Sequence, residues 1–213
     1  MNIKQIVISL FFLLMLFSFS VSGAEKMCTY STYKWNTISR KAVDFKTVQH
    51  PYSDLQSFEI DEQTGCTVCE EDQVVIQIGD LPAFKVCKHF AFDIENTLNQ
   101  LWSDNQPVNK IVAYRVGMTR GEVDEQGNRT GFSNHSFGIA LDINDEQNGL
   151  YDQCITFNEN CRLRKGGKWS PDQFGSLTPD SEIVKAFKSI GLKWGGEIAG
   201  KQKDFMHFSP TGY

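Results

Sequence analysis

Six cysteines constrain this 213-residue chain more than any other feature. Cys28, Cys66, Cys69, Cys87, Cys154 and Cys161 all follow an apolar leader, so they are expected to meet an oxidising compartment and to pair as disulfides. The leader, "MNIKQIVISLFFLLMLFSFSVSGAEK", has one early lysine, an apolar run over 6–21 and small residues at Ser22, Gly23 and Ala24. This is the pattern of a secretory signal peptide, residues 1–24, cut after Ala24 or, nearly as well, after Gly23. An uncleaved membrane anchor is the competing reading, but the run is short and broken by serines. Lipid attachment at Cys28 is rejected because "EKM" precedes it where small residues are needed. Cys154 and Cys161 close a short loop and make the best single pair, while the other four allow three connectivities. "CTVC" also resembles half a zinc site or a redox motif, but its partners stand at spacings that match no common ribbon or finger.

The formal net charge is −5, and removing the leader takes away Lys4 and no acid, which makes the exported chain more acidic still. That argues against a nucleic-acid partner. Charges are interspersed without a basic run, so no stable membrane association is expected after cleavage. A soluble, exported monomer follows, periplasmic or secreted.

Patterning predicts a strand over 73–78 ("QVVIQI") and an amphipathic helix over 84–102, with Val86, Phe90, Ile94, Leu98 and Leu101 as its stripe. Residues 110–116 read as a second strand and 117–131, with four glycines, as a long surface loop. "IALDIN" resumes strand character, and residues 148–169 are irregular, stapled by the expected Cys154–Cys161 bridge. A second helix is expected near 181–190, capped by Thr178, Asp180 or Ser181 and stopped by Gly191, before a short strand at "DFMHF". The residues from 28 to 81 are mixed. Strands and helices interleave without a regular rhythm, giving an α+β class: one compact domain, a small mainly antiparallel sheet with helices packed on it, stapled by disulfides. Its amino-terminal part, 25–109, carries four of the cysteines, and 110–213 carries the chemistry.

Of four histidines, His50 and His89 read as packed or solvated, whereas His135 and His207 have carboxylates at short range. A catalytic zinc takes three protein ligands and leaves one position open, and His135, Asp142 and His207 can supply the three. Seven residues of straight strand would put His135 and Asp142 on opposite faces, but Gly138 permits a bend between them. Asp204, three residues before His207, can serve as general base, and Arg115 can offer a forked donor to a substrate carboxylate or an oxyanion. On spacing alone, His135 and Asp142 as turn caps and Asp204 as a solvated acid remain open.

"SNHSFGIALD" fits SxHxxGxAxD at Ser133, His135, Gly138, Ala140 and Asp142, and "DFMHF", preceded by "WGG" at 194–196, fits a later acid-x-x-His segment. In these motifs the chain resembles the zinc peptidases that comprise D-alanyl-D-alanine carboxypeptidases and L-alanyl-D-glutamate endopeptidases of peptidoglycan, with their hedgehog-like fold. The resemblance runs from about residue 110 onward. It implies one zinc ion held by His135, Asp142 and His207, Asp204 as base, Arg115 as substrate or transition-state contact, Ser133 and Trp194 at the substrate, and a peptidoglycan stem peptide as that substrate. Many members carry Glu where this chain has Asp204. The hedgehog signalling domain is similar in its metal site yet serves as a binding module, which makes a non-catalytic zinc-stabilised module the alternative. A carboxylate at 204 and an arginine at 115 favour the enzyme.

Overall fold

The amino-terminal residues that looked mixed form the longest strands of the molecule. In the computed structural model, which describes residues 25–213 and so leaves the leader and its signal-peptide reading outside the described residues, β1 (Met27–Asn36) and β2 (Lys41–Pro51) make an antiparallel hairpin. Cys28, Tyr30 and Thr32 of β1 are buried at alternate positions, the period of a strand with one face covered. After a series of 3₁₀ turns come β3 (Gln73–Ile76) and β4 (Phe84–Cys87), a second hairpin, and then α1 (Lys88–Ser103). The helix therefore starts four residues later than its apolar stripe suggested. Val86 belongs to the strand, where its inward side chain happens to continue the helical spacing.

The predicted strand at 110–116 shrinks to β5 (Ile111–Val112). The glycine-rich stretch is an arm of two strands, β6 (Met118–Val123) and β7 (Arg129–Phe132), and not a loop. Then follow β8 (Leu141–Ile143), β9 (Leu150–Asp152), β10 (Arg162–Lys165), α2 (Glu182–Ser189), β11 (Lys193–Trp194), β12 (Gln202–Asp204) and β13 (His207–Ser209). Ser181 is the residue before α2, and Gly191 follows the helix with φ of 87°. "DFMHF" is split: Asp204 ends one strand, His207 begins the next, and Phe205–Met206 turn between two different sheets.

Among the described residues the strands form four sheets, in the orders β11-β13-β8-β5, β2-β1-β6-β7 (the arm sheet), β10-β9-β12 and β3-β4. Among the described residues all strand pairings are antiparallel except the β1–β6 contact, Lys34 with Met118. One apolar core joins Ile76, Ile94 and Leu98 to Leu141, Ile183, Phe187 and Phe208, so both parts of the chain share it. The described residues form one compact α+β domain with mostly antiparallel sheets and two helices, bridged by Cys28–Cys69, Cys66–Cys87 and Cys154–Cys161. The pair Cys154–Cys161 is the one the spacing singled out. "CTVC" contributes to two separate bridges, so its thiolates are not available to a metal.

Candidate metal centre

Asp142 and His207 converge because they are direct cross-strand partners of β8 and β13, which places their side chains on one face. His135 reaches the same point by a different route. It lies in a 3₁₀ turn, Asn134–Phe137, closed by Gly138 in the left-handed region at φ 68°, and the chain then runs into β8. A Cβ on residue 138 would stand 2.6 Å from the Cys87 nitrogen and would also meet the Gln73 side chain, so the bend requires glycine for space as well as for conformation.

The ligand-bearing atoms of His135, Asp142 and His207 all lie within 4.8 Å of one another, and all three residues are buried. Asp142 Oδ1 is 3.1 Å from His135 Nε2 and 3.0 Å from His207 Nδ1. Adjacent ligand atoms around a tetrahedral zinc stand about 3.3 Å apart, given bonds of about 2.0–2.1 Å, so the set is spaced to hold such an ion. His135 Nδ1 lies 2.8 Å from the Ala113 carbonyl. That contact selects the tautomer with a proton on Nδ1 and a lone pair on Nε2, the usual outer-shell arrangement of a metal-bound imidazole. Burial pushes the His135 pKa down, against the pull of Asp142. Burial opposes ionisation of Asp142 too, but His135 and His207 hold its carboxyl well below the ordinary range. Neutral imidazole beside carboxylate is the state a divalent cation needs.

Cations border the set. Arg115 Nη2 is 3.4 Å and Lys165 Nζ 3.6 Å from Asp142 Oδ2, and both side chains remain partly exposed. The Arg115 amide donates to the His135 carbonyl at 3.1 Å, which fixes its backbone to the turn that carries the histidine. Lys165 was not legible in the sequence. It comes from β10, beyond the Cys154–Cys161 loop, where Lys165 pairs with Leu150 of β9.

Asp204 is buried at the end of β12, and its Oδ1 has no hydrogen-bond partner among the described residues. Burial raises its pKa to about 6; His207, Lys165 and Arg120 pull it down while Asp142 pushes it up. These charges place Asp204 in the same electrostatic neighbourhood as the metal-ligand set. Ser133 Oγ and His207 Nε2 are likewise buried without a partner among the described residues. Such orphaned atoms are uncommon, and here they belong to the candidate site or adjoin it in the chain.

Trp194, expected at the substrate, is only 2% exposed. Its indole N–H donates to the Phe205 carbonyl at 2.8 Å, so it supports the turn between Asp204 and His207 from within the core. Phe205 also stacks on Trp169 at 4.1 Å, which anchors the turn further. The glycine after Trp194 has a separate reason: a Cβ on Gly195 would come within 2.9 Å of Asp204 Cβ. His50 and His89 are accounted for elsewhere, His50 beside Glu59 at 2.9 Å and His89 beside the Thr64 carbonyl at 3.1 Å.

A family model described as D-alanyl-D-alanine carboxypeptidase matches residues 126–210. The match supports a peptidase and spans His135, Asp142, Lys165, Asp204 and His207; Arg115 precedes it. No curated protein and no solved structure matches the chain.

Proposed function

We propose that the chain is an exported zinc metallopeptidase that hydrolyses a peptide bond in peptidoglycan stem peptides, as a D-Ala-D-Ala carboxypeptidase or an L-Ala-D-Glu type of endopeptidase. The observation that carries this reading is the convergence of His135, Asp142 and His207 within 4.8 Å inside the segment that matches the peptidase family. Zinc held by these three residues would polarise the scissile carbonyl and lower the pKa of a bound water. The chain's own groups do the rest. Asp204, with an unpartnered carboxylate oxygen and a pKa raised to about 6, takes a proton at Oδ1 and returns it to the leaving amine. Arg115 keeps its guanidinium beside Asp142 and, being partly exposed, turns a donor edge toward anionic oxygen of the substrate. Ser133 Oγ offers a further hydrogen bond at the site.

A merely structural zinc site has no need of Asp204, whose burial without a partner lowers stability when ionised; this favours the enzyme over a non-catalytic binding module. The proposal extends to a leader cleaved at 24, to a periplasmic or secreted location and to a monomer. The test uses mass spectrometry of fragments released from purified sacculi, together with zinc analysis. Asp204→Ala should keep its zinc and lose hydrolysis, and His207→Ala should lose zinc. Parental hydrolysis by a folded, zinc-loaded Asp204→Ala would sink the catalytic assignment.

A further inference from the structure

We propose that a cavity of about 400 Å³, between the β1–β2 hairpin, β4 and the segment bearing Arg115, binds a part of the substrate that carries both an ammonium and a carboxylate. This rests on the peptidase reading above and names a second recognition site for it. The residues lining the cavity all precede residue 126, outside the segment that matches the peptidase family.

Its lining carries opposite charges side by side. Lys85 Nζ stands 3.6 Å from the Glu70 carboxylate, with the side chains 40% and 49% exposed. Such a pair is worth little by itself, so each partner can turn to a ligand group of opposite sign at small loss. Thr32 lines the same cavity at 5% exposure, and its buried Oγ1 has no hydrogen-bond partner among the described residues. The Tyr33 and Phe45 rings, 5.7 Å apart, form an apolar wall, and Phe45 is 73% exposed. Arg115 joins this cavity to the candidate centre, since it is among the lining residues and its guanidinium reaches Asp142 at 3.4 Å. An amino-carboxylate on an aliphatic stem meets each of these features: ammonium on Glu70, carboxylate on Lys85, a hydrogen bond from Thr32 and methylenes on Tyr33 and Phe45. A neutral glycan would leave the charged pair unused.

The probe is the tripeptide L-Ala-γ-D-Glu-diaminopimelate, whose side chain ends in an amino-carboxylate, against the same peptide with that end acetylated and amidated. Binding is measured by calorimetry on the full exported chain carrying Asp204→Ala, so that no probe is consumed. Lys85→Met and Glu70→Gln should each weaken the free peptide about tenfold or more and leave the blocked peptide unchanged. Thr32→Val should weaken it about fivefold without lowering Tm, because a hydroxyl with no partner contributes nothing to the fold. Equal affinity for both peptides in all variants would overturn the proposal, as would binding of a glycan disaccharide at this cavity in place of the peptide. Hydrolysis by the unsubstituted chain is scored separately. If it fails, the peptidase reading falls, and the free-versus-blocked comparison still decides the cavity.

Discussion

At the scale of single residues, the role proposed for Asp204 stands against stability. Its folded pKa of about 6 lies above the ordinary 3.8, so the folded state favours the protonated form. The sign follows directly: below pH 3.8 both states are protonated and nothing is lost, and the penalty grows as pH rises and is complete above about 6. Asp204→Asn should therefore stabilise the zinc-stripped protein at pH 7.5 by on the order of 3 kcal/mol, read as a higher Tm, and the gain should vanish near pH 3.5. The same variant should be inactive. No Tm gain at pH 7.5 would mean that the carboxylate has a partner, contrary to its unpartnered Oδ1. Gly138 makes a second case at this scale. Gly138→Ala would have to place a Cβ at φ 68° and within 2.6 Å of the Cys87 nitrogen, for a loss of about 2 kcal/mol or more. Because the bend positions His135, zinc affinity should fall with Tm. Retained affinity, measured by competition with a chromophoric chelator, would show that the bend does not set the ligand geometry.

At the scale of elements, the bridges differ in what they close. Cys28–Cys69 spans 41 residues and ties β1 to the turn before β3, whereas Cys154–Cys161 spans only 7. In the chain-entropy account these loops are worth about 4 and about 2 kcal/mol respectively. Replacing the first pair by alanines should therefore lower the denaturant midpoint more than replacing the second, while loss of the second should act on β10 and hence on Lys165. Equal midpoints would count against the entropic ordering. The elements also show which signals the sequence carried. The bend at Gly138 and the pair Cys154–Cys161 were legible because each is local. The β6–β7 arm was not, since it is glycine-rich, polar and bulged at Arg120, so no face alternates. The hairpin of β1 did leave a trace, the buried alternation of Cys28, Tyr30 and Thr32 within "MCTYSTYKW". The split of "DFMHF" was hidden because a strand-like run of five residues cannot reveal a turn made by tertiary pairing, with Met206 accepting from Ile143 and Phe205 donating to Gly149.

At the scale of the whole molecule, the amino-terminal part is structural support for the candidate metal centre. The Cys87 amide donates to the Gly138 carbonyl at 2.9 Å, the Tyr114 amide to Lys85 at 3.1 Å and the Tyr114 hydroxyl to Val68 at 2.7 Å, so both the histidine turn and the arginine segment are bonded to residues before 110. Gln73 and Cys87 lie against Gly138, and Ile94 and Leu98 of α1 share a core cluster with Leu141. A fragment of residues 110–213 would expose the core faces of Leu141, Ile183 and Phe187 and would leave Gly138 without its donor. It should fail to fold, giving collapsed amide dispersion by NMR and no tight zinc site. The chain of residues 25–213 should unfold in one transition with calorimetric and van't Hoff enthalpies equal. Two resolved transitions, or a folded fragment that binds zinc, would show that residues 25–109 form a separable unit. The shared core and these cross-bonds argue instead that the chain reaches its ligand geometry only as a whole, with Cys28 and Tyr30 of the β1–β2 hairpin packed in a second apolar cluster with Val116, next in the chain to Arg115, and Phe137, in the turn that carries His135.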